Sequence, residues 1–141
     1  MALRVALVLS AVLVVCVLSA EKQTCRLIRG RAICPDQKDA KKHDGSVVIV
    51  QLKSKDGYRD RIDEAFVSKN GYFVVSGCQR DLYQSWQPEL HILHACKQKQ
   101  KRRVKLPLTV SGYDYEIPRT INLRAVDDEP HVFDDRPPCV P

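Results

Sequence analysis

Val47-Val48-Ile49-Val50-Gln51-Leu52 is the stretch on which the fold turns. β-Branched side chains are stiff about χ1 and pack well on a pleated surface. Here they occur at successive positions, so both faces of the segment are apolar, which predicts a central strand covered on both sides. Upstream, Leu27-Ile28-Arg29-Gly30-Arg31-Ala32-Ile33 reads as a first strand weakened at Gly30, and Cys34-Pro35 to Gly45 reads as a polar turn. Downstream, Lys53 to Asp60 is a charged turn around Asp56-Gly57. Glu64 to Ser68 then leads through Lys69-Asn70-Gly71 into Tyr72-Phe73-Val74-Val75-Ser76-Gly77, and Asn-Gly between apolar runs is by itself a hairpin signal. A polar link from Gln79 to Pro88 carries the only tryptophan, Trp86. Leu90 to Cys96, Val104 to Leu108, Tyr113 to Ile117 and Thr120 to Val126 give four more strand candidates. Seven to eight short strands with turn signals between them, and no long 3.6-residue apolar stripe, predict an all-β sandwich of two sheets.

The N-terminus sets the compartment. Arg4, an apolar run from Val5 to Leu18 and a small-residue exit at Ser19-Ala20 have the form of a secretory signal peptide spanning residues 1–20. The run is shorter than the ~20 apolar residues of a membrane span, and no second one follows. The expected exported domain covers 21–126, with an acidic, proline-rich and irregular tail at 127–141. Without the leader, five cysteines remain: Cys25, Cys34, Cys78, Cys96 and Cys139. In an oxidising compartment they predict two disulfides and one further thiol. None has the tight C-x-x-C spacing of a zinc site, so no metal is expected.

The whole chain has 23 Lys and Arg against 17 Asp and Glu, and the leader contributes only Arg4 to that surplus. A mildly basic exported domain favours anionic surfaces. It has no aromatic-basic interleaving or helical reading motif, which argues against nucleic acid. No Asn-x-Ser/Thr sequon occurs.

Three segments in order resemble the nematode transthyretin-like family of secreted domains. Arg29-Gly30-Arg31-Ala32-Ile33-Cys34 is similar to its opening G-x-L-x-C strand, and Asn70 to Cys78 to its NG-x-F-x-(apolar)-SG segment. Pro88-Glu89-Leu90-His91-Ile92-Leu93-His94-Ala95-Cys96 is similar to P-Y-L-x-I-x-H-x-C and is the most specific of the three. Arg102 to Pro107 then stands where the family has a basic-apolar strand ending in proline. Glu89 replaces the usual aromatic, and the Pro35–Gly45 loop is more charged than the family's turn. The resemblance implies a transthyretin-like (prealbumin-type) β-sandwich acting as an extracellular carrier or bridging protein, with phosphatidylserine recognition among family roles. It also implies that Asn70-Gly71 is a corner between sheets rather than a ladder hairpin.

His91-x-x-His94 does not read as a metal site, because residues three apart on a strand point to opposite faces. An enzyme is not expected. The C-terminal Tyr-Arg-Gly-Ser signature of hydroxyisourate hydrolases is missing from Arg136-Pro137-Pro138-Cys139-Val140-Pro141, and there is no Gly-x-Ser-x-Gly elbow. No cofactor is implied. Lys97, Lys99, Lys101, Arg102, Arg103 and Lys105 put six cations into nine residues and are the candidate anionic-ligand site, for lipid headgroups or sulfated glycans. The plain alternative is a solvated charged loop. The other functional class is a module that binds a cell-surface protein through a sheet edge or the tail. For the cysteines, Cys78–Cys96 is the expected disulfide, at the ends of consecutive strands. Cys25–Cys139 is the expected second pair and Cys34 is unassigned; Cys25 and Cys34 lie too far apart on one strand to bond each other. The sequence fixes no oligomeric state.

Overall fold

A computed structural model describes residues 22–55, 61–80, 86–97 and 100–130. These form nine strands and no helix: β1 (Gln23–Ile33), β2 (Ile49–Ser54), β3 (Asp63–Phe66), β4 (Tyr72–Arg80), β5 (Pro88–His94), β6 (Arg102–Pro107), β7 (Asp114–Glu116), β8 (Ile121–Asn122) and β9 (Glu129–Pro130). One sheet has the order β4-β1-β7, with β8 also paired to β1; the other has the order β3-β2-β5-β6-β9. β1 is the pivot of the first sheet, antiparallel to β4 and parallel to β7 and β8. The expected all-β sandwich of two sheets is observed. The leader, residues 1–20, the Asp56-Gly57 turn and residues 131–141 lie outside the described residues.

The core lies between the sheets. Ile28 and Ala32 of β1 and Phe73 and Val75 of β4 face Val50 and Leu52 of β2, Leu90 and Ile92 of β5, and Val104 of β6. β2 is an interior strand, as its composition predicts, but it is not covered on both sides. Val50 and Leu52 are fully buried while Ile49, Gln51 and Lys53 are only partly so. In a two-layer sandwich only the inner face of a sheet meets the other sheet, and Val47, before the strand, is 68% exposed.

Gly30 does not interrupt β1. It sits opposite Phe73, and a Cβ there would stand 2.8 Å from Cζ of that ring, so the position needs the absence of a side chain. Asn70-Gly71 is a corner: β3 before it and β4 after it belong to different sheets. Gly71 takes φ +83°, and a Cβ would lie 2.7 Å from the Ala32 carbonyl oxygen. The expected strand from Thr120 to Val126 is only two residues long. The Asn122 carbonyl accepts the Ala125 and Val126 N–H groups, and its side chain accepts that of Arg124, which turns the chain away.

The cysteine pairing differs from the sequence expectation. Cys25 bonds Cys78, and Cys34 bonds Cys96, so both Cys78–Cys96 and Cys25–Cys139 are overturned. β4 and β5 are consecutive in the chain but lie in different sheets, and the partner of Cys78 is set by the β1–β4 register, which places Cys25 directly opposite it. Cys34, just beyond β1, and Cys96, just beyond β5, tie the two sheets together with Cα atoms 5.5 Å apart. Cys139 lies outside the described residues. The loops closed span 53 and 62 residues, worth about 4 kcal/mol each on the chain-entropy estimate.

Candidate anion-binding site

The basic run divides between a turn and a strand. Lys97 and Lys101 flank the turn after β5, Lys99 lies outside the described residues, and Arg102, Arg103 and Lys105 belong to β6. β6 pairs with β5 on one side, His94↔Arg102 through Glu89↔Pro107, and with the short β9 on the other, Arg102↔Pro130 and Arg103↔Glu129. The ordered sandwich therefore continues past Val126, into what the sequence reads as an irregular tail. β9 and the residue before it bring two acids, Glu129 and Asp128, onto the strip.

The Asp128 side chain is 1% exposed and meets three cationic or imidazole partners. Arg102 Nε donates to its Oδ1 at 2.7 Å and Arg102 Nη2 to its backbone oxygen at 3.2 Å. Lys97 Nζ stands 3.2 Å from Oδ2 and also donates to the Val126 carbonyl at 2.8 Å. His94 Nε2 lies 3.3 Å from Oδ2. Glu129, 42% exposed, faces the other way, paired with Arg103 and with Lys105 Nζ at 3.0 Å. Asp128, just before β9, turns to the inner side of the strip and Glu129, the first residue of β9, to the outer, as neighbours on an extended segment do.

The electrostatics follow the contacts. Burial pushes the Asp128 carboxyl up, but hydrogen bonds from Arg102 and Lys97 and their charges outweigh it, so its pKa lies below the ordinary value. The Glu129 pKa is lowered by hydrogen bonds from Lys105 and Arg103. His94 is fully buried, and loss of water lowers its pKa against the pull of Asp128. Its Nδ1 accepts the Cys96 N–H at 3.2 Å, which puts the proton of the neutral ring on Nε2, facing Asp128. His91 is buried beside Glu89, and desolvation lowers its pKa too. The two histidines fall on opposite faces of β5, as their spacing requires.

Sequence reasoning finds the cations and misses the acids. Asp128 and Glu129 stand more than twenty residues from the strip, and only the sheet order brings them to it. A second polar feature is also absent from the motif reading: a cleft of about 320 Å³ on the β4-β1-β7 sheet, lined by Arg29, Arg31, Tyr72, Glu116 and Arg119 among others. Arg31 lies 5.4 Å over the Tyr72 ring centroid and donates to the carbonyls of Asn70 and Lys41.

The sequence model of the transthyretin-like family (TTR-52) matches residues 29–118, from the middle of β1 to just past β7. The chain belongs to the transthyretin-like family. The match takes in both sheets and the whole basic strand of this transthyretin-like chain, and it stops before β8 and before Asp128 and Glu129. No curated protein matches the chain. Family membership and two disulfides are consistent with an extracellular binding or carrier role.

Proposed function

We propose that this transthyretin-like chain is exported and acts outside the cell as a non-enzymatic binding protein, taking anionic surface groups on the strip formed by Lys97, Lys101, Arg102, Arg103 and Lys105, with Lys99 in the same run. The observation that carries this reading is that the strip already holds two carboxylates, Asp128 just before the added strand and Glu129 on it. Guanidinium groups suit planar and tetrahedral oxyanions because their donors form a rigid fork. Lipid headgroups and sulfated glycans share that oxyanion chemistry. The leader-like N-terminus and the stapled sandwich support export, and no helix among the described residues is long and apolar enough to cross a membrane.

The test keeps Arg102, because it holds the buried Asp128. Replacing Lys101, Arg103 and Lys105 with Ala is expected to weaken co-sedimentation with anionic vesicles, or retention on heparin, and to flatten the salt dependence. Each cation near an anionic membrane contributes ~1 kcal/mol, and the attraction fades over a Debye length of ~8 Å at physiological salt. Binding that is unchanged by the triple substitution contradicts the assignment.

A further inference from the structure

We infer that Asp128 and Glu129 act as a built-in competitor for the cationic strip, so that the affinity for an external anion is set by how firmly the protein's own β9 holds those cations. The inference rests on the strip being the anion site and concerns its regulation.

Four of the cations in the basic run are engaged by two carboxylates: Lys97 and Arg102 by Asp128, Arg103 and Lys105 by Glu129. The two halves differ in strength. Asp128 is buried, ringed by Arg102, Lys97 and His94, and braced by Lys97 on the Val126 carbonyl, so it anchors the segment. Glu129 is nearly half exposed, and its partners Arg103 and Lys105 keep 22% and 45% of their side-chain surface in solvent. Exposed pairs are worth little and are screened by salt, so Glu129 is the half that a multivalent anion displaces. The pairing beneath it is slight, two residue pairs ending in a proline with no N–H to give. An external phosphate or sulfate that takes Arg103 and Lys105 must break the Glu129 contacts. The apparent dissociation constant then exceeds the intrinsic one by the inverse of the fraction with β9 lifted. The two acids lie outside the 29–118 segment that the family model matches, while the cations they hold lie inside it.

The experiment measures the affinity of the full oxidised chain for vesicles containing phosphatidylserine and, separately, for a heparin oligosaccharide. Four proteins are compared: wild type, Glu129→Gln, Glu116→Gln, and the Lys101/Arg103/Lys105→Ala triple. Glu129→Gln frees two cations and should bind about five- to thirtyfold tighter at low salt, with the gain shrinking as salt rises. Glu116, on β7 in the other sheet, changes the net charge equally without touching the strip, and its variant should bind like wild type. Vesicles should also speed hydrogen exchange of the wild-type β6–β9 ladder amides. A gain on only one of the two probes identifies the anion source and supports the inference. Equal affinity of wild type and Glu129→Gln, with the triple still weakened, overturns the competitor and leaves the site standing. An unweakened triple, equal gains from both Gln variants, or no binding by any form overturns the competitor as well, and the first and last of these also remove the site.

Discussion

Each sheet carries an arginine–aspartate pair near a disulfide, and the two regions could hardly be less alike. On the β4-β1-β7 sheet, Arg29 pairs with Asp114 on the outer face, both nearly half exposed, on the sheet held in its plane by Cys25–Cys78. On the other sheet, Arg102 pairs with Asp128, whose side chain is 1% exposed, close to the point where Cys34–Cys96 joins the layers. Water makes the first pair almost neutral in energy, whereas the second survives only because Arg102, Lys97 and His94 together replace the solvation that Asp128 has lost. The same residue types therefore do different jobs: the outer pair decorates a surface, and the inner pair decides where the last strand docks.

The largest break comes at the inter-sheet staple. Cys34→Ser with Cys96→Ser should cost about 4 kcal/mol in denaturant unfolding, because it reopens the 62-residue loop. It should also loosen β9, since the bridge fixes residue 96, whose backbone N–H holds the His94 ring that faces Asp128. A loss below 1 kcal/mol would deny the bridge its role.

The pH dependence separates the two regions next. The folded-state pKa values of His91 and His94 lie below the ordinary 6.5, so the unfolded chain takes up protons first as pH falls. Their contribution is fully present above about pH 6.5 and declines below it. Asp128 has a folded pKa below the ordinary 3.8, so the stability it adds is present above about pH 4 and is lost in stronger acid. Thermal melts from about pH 8 to about pH 3 should show both arms, and Asp128→Asn should shrink the acid arm, leaving the share of Glu129 and Asp44, whose pKa values are also lowered, while lowering stability at neutral pH. An Asp128→Asn profile that parallels wild type at every pH contradicts the buried pair. The smallest effect belongs to the exposed pair: Asp114→Ala should change stability by no more than about 1 kcal/mol, and that change should vanish in high salt.

The contrast also marks what the sequence makes legible. Period-two patterning identifies most of the main strands because a half-buried strand must alternate, and Asn70-Gly71 announces a turn because Gly71 needs a positive φ. That the turn is a corner comes only from the resemblance, since local signals cannot tell a ladder from a change of sheet. The cations from Lys97 to Lys105 are plain to see, but their partners are not. Sequence patterning treats Asp128 and Glu129 as tail because charge and proline dominate there, and only the position of β6 near the sheet edge converts that tail into a strand. The disulfides fail for the same reason: Cys78 meets Cys25 through the register of β1, a pairing between residues 53 apart. Non-local order decides both, and it is the part of the fold that no short segment encodes.

A double-mutant cycle tests the central claim most directly. Arg102→Ala, Asp128→Ala and the double variant, measured by denaturant unfolding, should give a coupling energy of about 2 kcal/mol or more, against less than about 1 kcal/mol for Arg29 and Asp114. A coupling near zero between Arg102 and Asp128 would mean that the acidic segment does not rest on the cationic strip, and would contradict the account.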